Sequence, residues 1–285
     1  MAAKKNSKWK DVWRRMKKNK TAMFGLMVVV IFLLIALFAP LFVPYSDAIR
    51  LNAKIRLQPP SMEHLFGTDE YGRDELARAV YGARTSLWLG IITTLTSSLL
   101  GCLFGAIAAF YGGKVDGIIM RVMDVFMCIP AILLALAIVA ALGPSDVNLI
   151  IAITVASVPP FTRIVRSVML TVVDQDYIEA ARSYGAPDSR LILRYVLPNA
   201  MGPIIVQTTM SVAGMIIATA SLSFIGMGVQ PPTPEWGVML SNASEYMLTS
   251  PYLLFFPGVG IMLSALALNL VGDGLRDALD PRLKD

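Results

Sequence analysis

The chain has 285 residues, of which 55% are hydrophobic and only 16% are charged. That balance excludes an ordinary soluble domain of this length and leaves uncharged runs long enough for membrane spans. The net charge is +5, and nine of the 25 Lys and Arg fall within the first 20 residues; directly ahead of an apolar run, such a tail marks the cytoplasmic end of a membrane anchor rather than a nucleic-acid arm.

Residues 1–20 hold Trp9 and Trp13 four apart among Lys and Arg. An interfacial helix at headgroup level and a disordered tail are both open. Residues 21–46 carry no charge, and Met23 to Val43 is long enough to span a hydrocarbon layer of about 30 Å. A cleaved signal peptide has a shorter apolar region and a small-x-small site. The run ends in Pro40 and Pro44 and reads as a retained helix over 21–44.

Residues 45–86 are polar. Asp69, Glu70, Asp74 and Glu75 raise the question of calcium, but Arg73 sits among them and the spacing is not that of an EF-hand loop. Gly67 and Gly72 read as turns, and Asp74 as the cap of a short helix. A second span covers about 87–110, where Gly101 and Gly105 form a GxxxG face suited to close packing. A third covers 118–142. The fourth, 147–170, carries Pro159-Pro160, where two missing donors predict a kink or break. Arg163 and Arg166 share a face at its far end. Two readings stand: they snorkel to the headgroups, the one favoured, or they line the inner mouth of a pathway.

The polar island 174–200 follows. Asp176 is expected to cap a helix, with Glu179 bonding back. Gly185 suits the left-handed residue that ends it. Pro187 suits the first turn of a second helix, which Pro198 is expected to stop. Tyr177, Ala181 and Tyr184 lie near one face of the first helix by spacing. Two apolar spans, 203–224 and 252–271, complete the chain, with a Pro/Gly-rich loop between them and a tail over 275–285.

Six spans put both termini on one side. Nineteen Lys and Arg fall on the side of the termini and the island, and six on the other, all in the 45–87 loop. The excess marks the cytoplasm. Cys102 and Cys128 lie in apolar runs and read as small core residues, and His64 has no partner spaced for a metal. No GxxxxGK[ST], HExxH or GxSxG occurs, which counts against an enzyme.

Glu179-Ala180-Ala181, Gly185, Ile192 and Leu197-Pro198 resemble the EAA loop of ABC-importer permeases. The strings 66–78 (FGTDxxGRDxxxR), 226–237 and 269–277 resemble the subfamily that handles dipeptides, oligopeptides and nickel. The resemblance implies an all-α fold of six transmembrane helices with a permease core over 85–274. It implies that Tyr177, Glu179, Ala180, Ala181, Tyr184, Gly185, Leu197 and Pro198 dock on an ATPase. It also implies a second homologous permease, two ATPase subunits that use ATP and Mg, and an extracytoplasmic binding protein, in a bacterial or archaeal cytoplasmic membrane. No cofactor is expected on this chain and no nucleic acid among its partners. Peptides are the expected cargo, with nickel chelates, glutathione or antimicrobial peptides as alternatives. An ion-coupled secondary transporter and an intramembrane enzyme are the rival classes.

Overall fold

The computed structural model describes residues 8–279, so the first seven residues and the last six of the expected tails lie outside it. Among the described residues every regular element is helical, apart from one isolated bridge between Thr68 and Asp74.

The basic stretch is helix α1 (Lys8–Lys18). Its Val12 and Met16 pack with Ala22 of α2 (Lys20–Leu37) and Ala278 near the other terminus, while Trp13 faces outward with the Lys17 Nζ over its ring. Asn19 caps α2 by accepting from Ala22 N at 3.1 Å. The first span is shorter than expected. It stops at Leu37 rather than Val43, because Pro40 has no N–H for the Ala36 carbonyl and its ring crowds that turn. Two short helices follow, α3 (Ala39–Phe42) and α4 (Tyr45–Ile49).

Asp74 does cap a helix, accepting from Ala77 N at 2.9 Å, but that helix is not short. It is α5 (Glu75–Tyr111), 37 residues and about 55 Å long, beginning well ahead of the expected second span. Gly101 and Gly105 meet their expectation. A Cβ on Gly105 would come within 2.8 Å of the Thr162 carbonyl, and one on Gly101 within 2.5 Å of Phe161 Cβ, so only glycines let the two backbones approach.

The expected third span is broken in two. α6 (Gly113–Met127) and α7 (Ala131–Leu142) meet at 84°. Pro130 stands at the break and withholds the donor that would bond Phe126 O. Cys128 lies there exposed, not in the core as expected. The fourth span behaves in the opposite way: α8 (Asp146–Val173) runs through Pro159-Pro160 without interruption. Pro159 and Phe161 are buried against neighbouring helices, and the Thr162 hydroxyl donates to Val158 O at 2.9 Å. Packing on both flanks holds a turn that would otherwise open.

The island contributes α9 (Asp176–Ser183) and α10 (Asp188–Arg190), followed by a π-helical turn (Leu191–Val196). α11 (Leu197–Phe224), α12 (Trp236–Ala243) and α13 (Tyr252–Leu279) complete the chain. α13 extends past the expected span end at Val271, because Gly272 and Gly274 pack against Met210 and Ala22 and carry the helix onward. α12 lies in what the sequence presents as a loop. Glu235 caps it, accepting from Val238 N at 3.0 Å and from the Ser86 hydroxyl at 2.9 Å.

Among the described residues, five helices are long and apolar enough to cross a membrane, and the bent α6–α7 pair makes a sixth when counted as one broken span. Two apolar cores stack along them. One joins α7, α8 and α11 around Val139, Leu149 and Leu222; the other, around Val165, Met169 and Leu191, supports the island.

Candidate functional site

The island starts where α8 ends. Gln175, not Asp176, occupies the cap position of α9, and no side chain closes it, so the expected Asp176–Glu179 exchange is not made. The link from α8 is too short to leave Asp176 outside the helix. Gln175 N bonds to Val172 O at 3.2 Å, and the Gln175 amide donates to Thr171 O at 3.1 Å. Asp176 and Glu179 then fall in the first turn, where negative charge suits the helix dipole.

Gly185 has φ +77, as expected. Gly185 N bonds to Arg182 O at 2.9 Å and Ala186 N to Ala181 O at 3.2 Å, the paired bonds of a Schellman ending. The bend is therefore fixed by backbone. Pro187 stands at the cap of α10, one place before the helix. Pro198 does not stop the second helix. The π turn lets Leu197 N reach back to Ile192 O, and the Asn199 amide satisfies Tyr195 O at 2.7 Å. The helical run thus passes Pro198 and continues to Phe224, so the island's second helix and the fifth span are one rod.

Three side chains seat the island. Ile178, Leu191 and Val196 are at most 1% exposed and join Ala106 and Phe110 of α5 with Val165 and Met169 of α8. The Arg182 guanidinium lies 5.4 Å from the Phe110 ring centre. The opposite face is bare: Tyr184 is 93% exposed, Leu193 66% and Tyr177 44%. Ala181 does not share that face. It is half-buried against the chain's own core, whereas Ala180 is exposed between Tyr177 and Tyr184. Leu197 is half-buried and Pro198 exposed.

Neither reading of the two arginines anticipated their partners. Arg166 places Nε and Nη2 on the two Asp116 oxygens, each at 2.5 Å, and Arg163 Nη2 lies 2.5 Å from Asp124 Oδ1. Both pairs join α8 to α6. The acidic partners lie 50 and 39 residues away in sequence, beyond the reach of any local pattern.

The string 66–78 folds into a charged knot at the other end of the molecule. Asp69 is 3% exposed and accepts from Tyr71 N, Arg73 N and Arg73 Nε, with Arg78 Nε at 3.3 Å. Arg78 also donates to Ala48 O at 3.1 Å, Phe66 stacks on Phe256, and the Tyr252 hydroxyl donates to Thr68 O. His64 is 2.9 Å from Asp74 Oδ2. The motif ties α4, α5 and α13 together.

The sequence pattern of the binding-protein-dependent transport system inner membrane components matches residues 101–285, and that of the N-terminal transmembrane domain of oligopeptide transport permease C matches residues 7–60. A dipeptide transport system permease protein of Alkalihalophilus pseudofirmus is 46% identical over 98% of this chain and 91% of its own length. A di/tripeptide transport system permease protein of Pseudomonas aeruginosa is 44% identical over 97% and 93%, and a glutathione transport system permease protein of Escherichia coli 43% identical over 97% and 91%. An inward-facing structure of a methionine ABC transporter superposes with a TM-score of 0.54 at 18% identity, covering 68% of this chain and 94% of that one. With the helical rods, the seated island and these likenesses in hand, the chain belongs to the binding-protein-dependent transport system inner membrane components, the permeases of ABC importers.

Proposed function

We propose that the chain forms half of the translocation pathway of an ATP-driven importer of di- or oligopeptides. One observation carries the reading: a rigid bend, seated on α5, α8 and α11, presents Tyr177, Ala180, Tyr184 and Leu193 to no partner of its own. An exposed apolar and aromatic patch rimmed by polar groups is the form of a protein-docking site. The island docks on an ATPase subunit, and α8 and α11, which enter and leave it, carry its motion into the spans. Alternating access follows as the ATPase pair closes and opens.

The charge split orients the chain. The island and both termini face the cytoplasm of a bacterium or archaeon, and residues 45–86 face outward. The partners are a second homologous permease, two ATPases and an extracytoplasmic binding protein that brings cargo. This chain is non-catalytic and holds no cofactor; ATP and Mg belong to the ATPases. The relatives named for dipeptides and di/tripeptides support peptide cargo. Glutathione, itself a modified tripeptide, is the second reading, supported by a relative named for it.

Reconstitution in proteoliposomes tests this. Labelled dipeptide should enter only with ATP, both permeases, the ATPases and the binding protein present, and should outcompete glutathione. Uptake by this chain alone on an ion gradient, or ATP hydrolysis by the isolated chain, would overturn the reading.

A further inference from the structure

α5, α8 and the island are one packed body: Ala106 and Phe110 of α5 and Val165, Met169 and Val172 of α8 share a core with Ile178, Leu191 and Val196. α6 runs beside α5 and α8 but adds no side chain to that core. Met123 is its one buried side chain, and none of its residues enters an apolar cluster. Both ends of α6 are joints. Gly112 and Gly113 lead into it with φ +59 and +49, in space open enough that nothing lies within 4 Å of an added Cβ. Its far end is the 84° break at Pro130. Between these joints, two ion pairs tether α6 to α8. Asp116 and Asp124 are two turns apart, about 12 Å along α6, so two points of attachment fix the rod's direction as well as its position. The Arg166 fork, engaging both oxygens of Asp116, adds orientation. Snorkelling arginines need no acidic partner, whereas here each has one, the Arg166–Asp116 pair the more enclosed and the Arg163–Asp124 pair half-exposed. Pairing is therefore the arrangement in which α6 and α8 travel together.

We propose that Arg163–Asp124 and Arg166–Asp116 form a two-point latch through which the island moves the broken span α6–α7. This rests on the docking role of the island proposed above. When the island follows an ATPase, α5 and α8 move with it, and the latch keeps α6 from swinging freely at Gly112–Gly113, so that α6 travels with them and the bend at Pro130 takes up the motion. Arg163 and Arg166 are then positioning residues: they hold a wall element to the drive.

The test uses the assembled transporter in proteoliposomes. Asp116→Arg and Arg166→Asp should each reduce ATP-driven uptake per assembled complex at least tenfold while ATP hydrolysis falls less than twofold. The double exchange, Asp116→Arg with Arg166→Asp, should recover at least a third of uptake. A merely structural role would lower the yield of complex but not uptake per complex. Should the reversals fail to assemble, spin labels at Val122 and Ser189 decide. In the otherwise unaltered chain their distance should be the same with and without ATP, and Asp116→Asn with Asp124→Asn should broaden it. Uptake at the unaltered rate in the reversals, no recovery in the exchange, or a Val122–Ser189 distance that changes on ATP binding would each overturn the latch. Gly185→Val is the control. If it too transports normally, the docking reading fails; if it blocks uptake while the latch variants do not, only the latch fails.

Discussion

The loop at 45–86 and the island at 174–200 are both polar interruptions rich in Asp, Glu, Arg, Tyr and Gly, yet they are built in opposite senses. The 66–78 segment of the loop turns its charges inward, with Asp69, Arg73, Glu75 and Arg78 each at most 4% exposed, while Asp47, Arg50, Lys54, Arg56 and Glu63 ahead of it stay exposed. The island turns its aromatics outward, with Tyr184 93% exposed. Even their glycines differ. Gly72 and Gly185 both have positive φ, but a Cβ on Gly72 would collide with the Asn52 carbonyl, and one on Gly185 would meet nothing within 4 Å. A region satisfied by its own chain is a frame, and one left unsatisfied is a place for a partner.

The largest expected effect comes from exchanging those glycines. Each Gly→Val change forces a branched side chain into positive φ, at about 1–2 kcal/mol. Gly185→Val should leave the chain inserted and assembled but reduce ATP-driven uptake at least a hundredfold, because α9 and α10 lose their mutual angle. Gly72→Val should do the reverse, making the loop protease-sensitive through its added clash. Equal protease resistance in the two variants would break the comparison.

Next comes the charged knot. Asp69→Ala removes the nearest anion from two buried guanidiniums and should cost about 3–5 kcal/mol, read from thermal unfolding of the purified complex. Asp174→Ala, at an exposed position on the island, should shift stability by less than about 0.5 kcal/mol. A small effect at Asp69 would remove the distinction between the two regions.

The smallest effect is a pH slope. Burial first, and repulsion from Asp69 second, hold Glu70 above its ordinary value of 4.5. The folded loop therefore binds this proton more tightly than the unfolded chain does. Its contribution is fully present below about pH 4.5 and is lost as pH rises through the raised pKa. Glu70→Gln should flatten that part of the stability profile, measured as thermal midpoint against pH. An unchanged slope would contradict the assignment.

What the sequence made legible was local. Asp74 as a cap, Gly67 and Gly72 as turns, Gly185 as the left-handed helix end, and the Gly101–Gly105 face all follow from chemistry within a few residues. The errors came from tertiary compensation. Pro159-Pro160 passes without a break because buried neighbours hold the turn, whereas the lone Pro130, among exposed residues, bends its span by 84°. Pro198 is absorbed by a π turn that no propensity signals. At the candidate site, the motif spacing located the island, but the spacing of Tyr177, Ala181 and Tyr184 misassigned its centre. Ala181 faces the core because Ile178 and Leu191 rotate α9 toward α5 and α8, and Ala180 takes the exposed place. The partners of Arg163 and Arg166, like the bond that the Ser86 hydroxyl donates to Glu235, were invisible for a simpler reason: each pairing closes a long loop.

The most direct test replaces Tyr184 by a photo-crosslinking phenylalanine in the assembled, membrane-embedded transporter, with Leu248, 92% exposed at the loop end, as the paired site. Illumination should join position 184 to an ATPase subunit and leave position 248 free of it. A crosslink from 248 to the ATPase, or none from 184 in a complex that transports, would contradict the docking role of the island.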